Sequence, residues 1–96
     1  MGLSAKNFSE IKIKQFLDEN GKIKNLPSKN KTRLAVLFYL SQKFEIHRNY
    51  TEKEVNHLID QWHVFGDYFI LRREMVDAGF MSRESDGSRY WRPEIK

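Results

Sequence analysis

An α+β fold, mainly helical and closing in a β-hairpin, is what this 96-residue chain predicts, on three observations. Four stretches either repeat apolar residues at helical spacing or are apolar all round over a helix length. The capping box Thr51-Glu52-Lys53-Glu54 and glycines at 21, 66 and 79 mark helix boundaries. Beyond Gly79 two short runs flank Ser85-Asp86-Gly87-Ser88, where Asp-Gly is a strong two-residue hairpin signal.

A first helix is expected over 8–19. Asn7, Ser9 and Glu10 suit its start, Ile11, Ile13, Phe16 and Leu17 supply apolar positions, and Asn20-Gly21 stops the run. The segment 21–27 (GKIKNLP) reads as extended, anchored by Ile23 and Leu26, with Pro27 biasing Leu26 away from helix. Ser28 is expected to cap a second helix over 29–44, whose residues 34–40 are seven consecutive apolar side chains. A helix apolar all round belongs at the centre of the fold. A polar connection, 45–49, leads to the capping box and a third helix, 51–63, with Val55, Leu58, Ile59 and Trp62 on one stripe. Val64-Phe65-Gly66-Asp67 is a tight corner. A fourth helix, 67–78, is expected to turn Tyr68, Leu71, Met75 and Ala78 inward and Ile70, Arg73, Glu74 and Asp77 outward, with the hairpin following over 80–92.

Composition bounds the function. At 40% hydrophobic and 14% aromatic the chain can bury one core, and a single domain over 1–96 is expected. Without cysteine there are no disulfides, thiolate nucleophiles or Cys-ligated metals. His57 and His63 are six apart and do not share a helix face as an i, i+4 metal pair would, and no GxSxG, P-loop or HExxH run occurs. No cofactor, no metal and no enzymatic activity are therefore expected. No apolar run reaches the roughly 18–20 residues that span a bilayer, and MGLSAKNFSE lacks a secretory apolar stretch, so the expected location is the cytoplasm and not a membrane.

The net charge of +4 is unevenly placed, with ten Lys/Arg against four acids in residues 1–48 and seven against nine in 49–96. Lys22, Lys24, Lys29, Lys31 and Arg33 form the densest cationic strip, suited either to phosphate or an acidic partner, or simply to solvent. Helix, glycine corner, helix and basic hairpin is the element order of a winged helix-turn-helix, in which the second helix enters the major groove and the wing lies on the backbone. DNA is the expected partner, met by Arg72 and Arg73 on helix 67–78, Arg83, Arg89 and Arg92 on the wing, and Lys29, Lys31 and Arg33 upstream. One count opposes this: residues 66–78 carry two arginines against Asp67, Glu74 and Asp77, a net −1. The alternative is a winged-helix domain for protein interaction, dimerisation or effector sensing, with Phe69 or Ile70 as an anchor. Trp62 and Trp91 read as core residues in preference to base-stacking platforms.

The runs Tyr50-Thr51-Glu52-Lys53-Glu54-Val55-Asn56, Leu71-Arg72-Arg73-Glu74-Met75-Val76-Asp77-Ala78-Gly79-Phe80 and Asp86-Gly87-Ser88-Arg89-Tyr90-Trp91-Arg92, with Gly21–Pro27, Lys29 and Lys43-Phe44 upstream, resemble a prokaryotic family catalogued as domain of unknown function 2087. The resemblance covers about residues 14–92. It implies a small bacterial domain, found alone or attached to helix-turn-helix regulators, and so a role in transcriptional control. It implies no activity. The chain departs from the family pattern at Trp62–Phe69, where Phe65 and Phe69 replace the polar form of the corner.

Overall fold

Residues 34–40, the densest apolar run, lie within the longest helix, α1 (Asn30–Ser41). The computed structural model describes Phe8 and residues 10–94. Among these, α1 is followed by β1 (Asn49–Tyr50), α2 (Glu52–Gln61), α3 (Tyr68–Asp77), β2 (Ser82–Arg83) and β3 (Tyr90–Trp91). The strands form one antiparallel sheet in the order β1-β3-β2, so the described residues make an α+β fold in which α1, α2 and α3 accompany the sheet.

α1 departs from its expected span at both ends. Lys29, not Ser28, is the N-cap, and no side chain caps the first turn. Instead Arg33 reaches back to donate to the Pro27 carbonyl at 3.1 Å, which fixes the chain entering the helix. At the other end the Ser41 hydroxyl donates to the Phe38 carbonyl at 2.7 Å, and tight i to i−3 bonds from Lys43 and Phe44 replace the helical pattern. Phe44 still reaches the core, edge-on to Tyr50 with ring centres 5.2 Å apart.

The helix expected over 8–19 is not formed over residues 10–19, although Phe8 is helical. Residues 14–16 make one 3-10 turn, Leu17 bridges to Ile23, and residue 9 lies outside the described residues. At the end of this span Asp18 builds a local turn that competes with helix, its carboxylate accepting from the Asn20 and Lys22 amides, both at 2.9 Å. Gly21 completes it at φ +79°, and Tyr39 donates to the Gly21 carbonyl at 2.6 Å, so close that a Cβ there would lie 3.0 Å from the Tyr39 oxygen. Ile23, fully buried, donates its amide to the Trp62 carbonyl and accepts from Val64, tying this segment to the α2–α3 corner.

α2 begins at the expected capping box: the Glu54 amide donates to Thr51 Oγ1 at 3.1 Å and the Thr51 amide to Glu54 Oε1 at 2.8 Å. α3 is capped by Asp67, whose carboxylate accepts from the Ile70 amide at 3.2 Å. It ends where Gly79, at φ +82°, lets the Phe80 amide reach the Met75 carbonyl and the Gly79 amide the Val76 carbonyl. Leu71 and Met75 are fully buried as expected, and α3 packs on both α1 and α2. Tyr68 is exposed and Ile70 packs against the core, the reverse of their expected faces. At the far side Phe8, Phe38 and Phe80 form a three-ring cluster with centres 5.1–5.6 Å apart.

The hairpin turns through four residues, 85–88, in place of two. The Gly87 amide donates to the Glu84 carbonyl, and the Glu84 amide to the Arg89 carbonyl, both at 2.9 Å. Asp86 accepts from the Ser88 amide at 2.9 Å and so is held inside the turn, while Gly87 takes φ +76°. β1, which begins at the last residue of the expected polar connection, pairs Asn49 with Trp91 and Tyr50 with Tyr90.

Candidate nucleic-acid interface

α3 sends its charged residues to two flanks. Toward α1, Glu74 accepts from Arg33 through both oxygens, with Nε to Oε1 at 2.6 Å and Nη2 to Oε2. This bidentate pair raises the guanidinium pKa above its ordinary value, and its side chains are 30% and 21% exposed. Toward the hairpin, Phe69, Arg72, Arg73 and Asp77 of α3 face Arg83 and Tyr90 across a cleft of about 270 Å³.

The net −1 of this helix is thereby sorted by position. Asp67 is used as the N-cap and Glu74 is paired with Arg33, leaving Arg72, Arg73 and Asp77 on the hairpin flank. Arg73 and Asp77 are both well exposed and stand 3.9 Å apart, a surface pair of little strength. Arg72 is the anchored member, its side chain only 13% exposed. It donates to Asn56 Oδ1, lies 3.9 Å from Glu52, and stacks 5.4 Å from the Phe69 ring centre. Glu52 in turn accepts from the Tyr90 hydroxyl at 3.2 Å. Burial first, and this bond to Glu52 second among the raising influences, push the Tyr90 phenol up, so the hydroxyl remains a donor. Glu52, Asn56 and Tyr90 thus hold Arg72 in place. Sequence reading passes over all three, although Glu52 and Asn56 stand i, i+4 on α2, because the register of two helices against each other has no sequence signature.

The remaining candidate residues separate. Arg83 folds over its own turn, donating to the Glu84 and Ser85 carbonyls at 3.1 and 3.0 Å, with its guanidinium 5.8 Å from the Tyr90 ring centre. Strand alternation turns Arg89 and Trp91 to the other side of the sheet, where Arg89 pairs with Glu84 and lies 4.6 Å over the Trp91 ring. Arg92 donates to the Phe44 carbonyl at 2.9 Å and to Gln42 Oε1 at 2.7 Å, closing the C-terminal end of α1. Arg89 and Arg92 border a second cavity with Trp91, apart from the α3 cleft. Lys29 and Lys31 are exposed at the start of α1, and Asn30 between them borders a groove on the α1 flank with Arg73 and Asp77. Arg73 therefore stands at the junction of the two grooves. Arg72, Arg73 and Arg83 are brought together; Arg89, Arg92 and Arg33 are not.

The corner before α3 is rigidly built yet apolar outside. His63, buried, contacts the Ile59 carbonyl through Nδ1 at 2.8 Å and accepts the Asp67 amide at Nε2 at 2.9 Å. Both bonds are made at once only by the tautomer with its proton on Nδ1. Around it Val64, Phe65, Tyr68 and Phe69 are exposed, Val64 and Phe69 by just over half.

A family model described as an uncharacterized protein conserved in bacteria, DUF2087, matches residues 22–92. That span contains α1 to β3 and every candidate residue above. No curated protein and no solved structure matches. Among the described residues no helix is long and apolar enough to cross a membrane.

Proposed function

We propose that this chain, which belongs to the bacterial family DUF2087, is a small winged-helix module of transcriptional regulation that binds duplex DNA through α3 and the β2–β3 wing. The observation that carries this reading is the convergence of Arg72, Arg73 and Arg83 on one cleft between helix and hairpin, with Asp67 and Glu74 used elsewhere and Asp77 as the one acid of α3 that faces it. The order α1, β1, α2, α3, β2, β3, with β1 joined to the hairpin, is compatible with a winged helix. In that arrangement α3 enters the major groove, which is wide enough for a helix, and Arg83 meets a phosphate beside it. Lys29 and Lys31 extend the cationic surface from the α1 side.

Fluorescence anisotropy of random-sequence duplex at about 50 and 200 mM salt tests this. Micromolar binding is expected at the lower salt, with log K falling against log salt at a slope near −4 to −6. Absence of binding at about 50 mM removes the reading.

A second reading, contact with another protein, is favoured by the exposed Val64, Phe65, Tyr68 and Phe69 at the α2–α3 corner. It predicts association that Phe69→Glu abolishes, followed by light scattering across a concentration series.

A further inference from the structure

A larger cavity, about 650 Å³, opens between the segment that leads from α1 to β1, β1 itself and α2. None of its lining residues lies on α3 or on the hairpin, so it is distinct from the arginine cleft. Its volume is in the range of small-molecule sites, roughly 300–1,000 Å³.

The chemistry of its lining is asymmetric. Leu58 and Tyr50 supply apolar surface, and the charged lining groups are Lys43, Arg48 and Lys53 against Glu45 and Glu54. Both acids are engaged: Arg48 pairs with Glu45 and stands 4.0 Å from Glu54, while Glu54 accepts the Thr51 amide in the capping box. Lys43 is held differently. Its ammonium sits 4.0 Å from the Trp62 ring centre and 4.5 Å from that of Tyr39. Among the described residues no carboxylate is within ion-pair distance of it and no acceptor takes its N–H groups. The two rings, which do not themselves line the cavity, hold the ammonium of this half-buried lining residue and leave its three donors unused.

We propose that this cavity binds a small organic carboxylate, the carboxylate on Lys43 and the apolar body against Leu58 and Tyr50. A carboxylate replaces water at the ammonium with a charge-assisted hydrogen bond, and a body of a few carbons covers the apolar surface of Leu58 and Tyr50. The site is independent of the DNA reading and stands or falls without it.

Benzoate is the probe, with benzamide as its neutral counterpart and acetate as the same charge without the body, titrated into the full chain and followed by amide chemical shifts. Benzoate is expected to saturate shifts at Lys43, Tyr50 and Leu58 with a dissociation constant of about 1–10 mM, ordinary for a ligand of this size. Benzamide and acetate are each expected to bind at least about fivefold more weakly. Lys43→Met, which keeps the stem on Trp62 and removes the charge, is expected to lose benzoate binding to the same extent. Equal shifts with benzamide, unchanged benzoate affinity in Lys43→Met, or no saturable shift up to about 50 mM each overturn the proposal. Should Lys43→Met fail to fold, the benzoate-to-benzamide ratio on the unmodified protein decides alone.

Discussion

The two flanks of α3 use the same residue types for opposite ends. On the α1 flank Arg33 is spent on Glu74 and the Pro27 carbonyl, and what results is a strut between helices. On the hairpin flank Arg73 keeps only a loose contact with Asp77, and Arg83 is tied to carbonyls, which do not neutralise it. An arginine paired with a carboxylate contributes geometry, whereas one held by neutral acceptors keeps its full charge for a ligand. Charge counted along a helix therefore misstates the field that either face presents.

That contrast can be broken or sharpened by substitution, in falling order of expected effect on stability. Leu71→Ala, at a fully buried position between both flanks, is expected to cost about 2–5 kcal/mol in urea unfolding and to weaken every property at once. Arg33→Met leaves Glu74 partly buried without its partner and is expected to cost about 1–3 kcal/mol, discounted toward the lower value because both side chains are partly exposed. DNA affinity is expected to fall far less than stability in that variant. Thr51→Ala removes the capping box and is expected to cost about 1 kcal/mol.

The capping box also sets a pH dependence. The Thr51 amide, and secondarily its hydroxyl and Arg48, hold the Glu54 carboxyl below its usual range. A group whose folded pKa is lowered contributes fully above its unfolded value, roughly pH 4.3, and loses that contribution as pH falls through the folded value. Glu54→Gln is expected to be less acid-sensitive over that window in thermal melts at pH 3 to 6, with no change in slope near neutrality.

The smallest stability effect belongs to the hairpin flank. Arg73→Met and Arg83→Met are each expected to stay within about 0.5 kcal/mol of the parent. Each is expected to weaken binding to all duplexes alike and to reduce the salt slope by about 1. Variants that lost stability instead of binding would make this flank a second strut and erase the difference from the first.

Local chemistry made much of this architecture legible. The capping box at Thr51, the Gly79 stop, the inward Leu71 and Met75 and the C-terminal hairpin all follow from interactions within a few residues, which a sequence carries in full. Where local signals competed, the sequence was ambiguous: Ile11, Ile13, Phe16 and Leu17 have helical spacing, but the Asp18 turn prevails because Ile23 and Tyr39 hold it from outside. β1 is two residues long and becomes a strand only through its partner β3.

The candidate site divides in the same way. Composition and patterning determined by themselves that arginines would flank a helix followed by a hairpin, since those positions are written in order along the chain. Only the tertiary structure decided which of them are tied to partners within the protein. Glu74 turns to Arg33, Arg92 to Phe44, and Arg72 to Asn56, in each case across 16 to 48 residues of sequence. A guanidinium is engaged by whatever oxygen the packing brings within about 3 Å of it, and that neighbour is fixed by how helices dock, which no local pattern encodes.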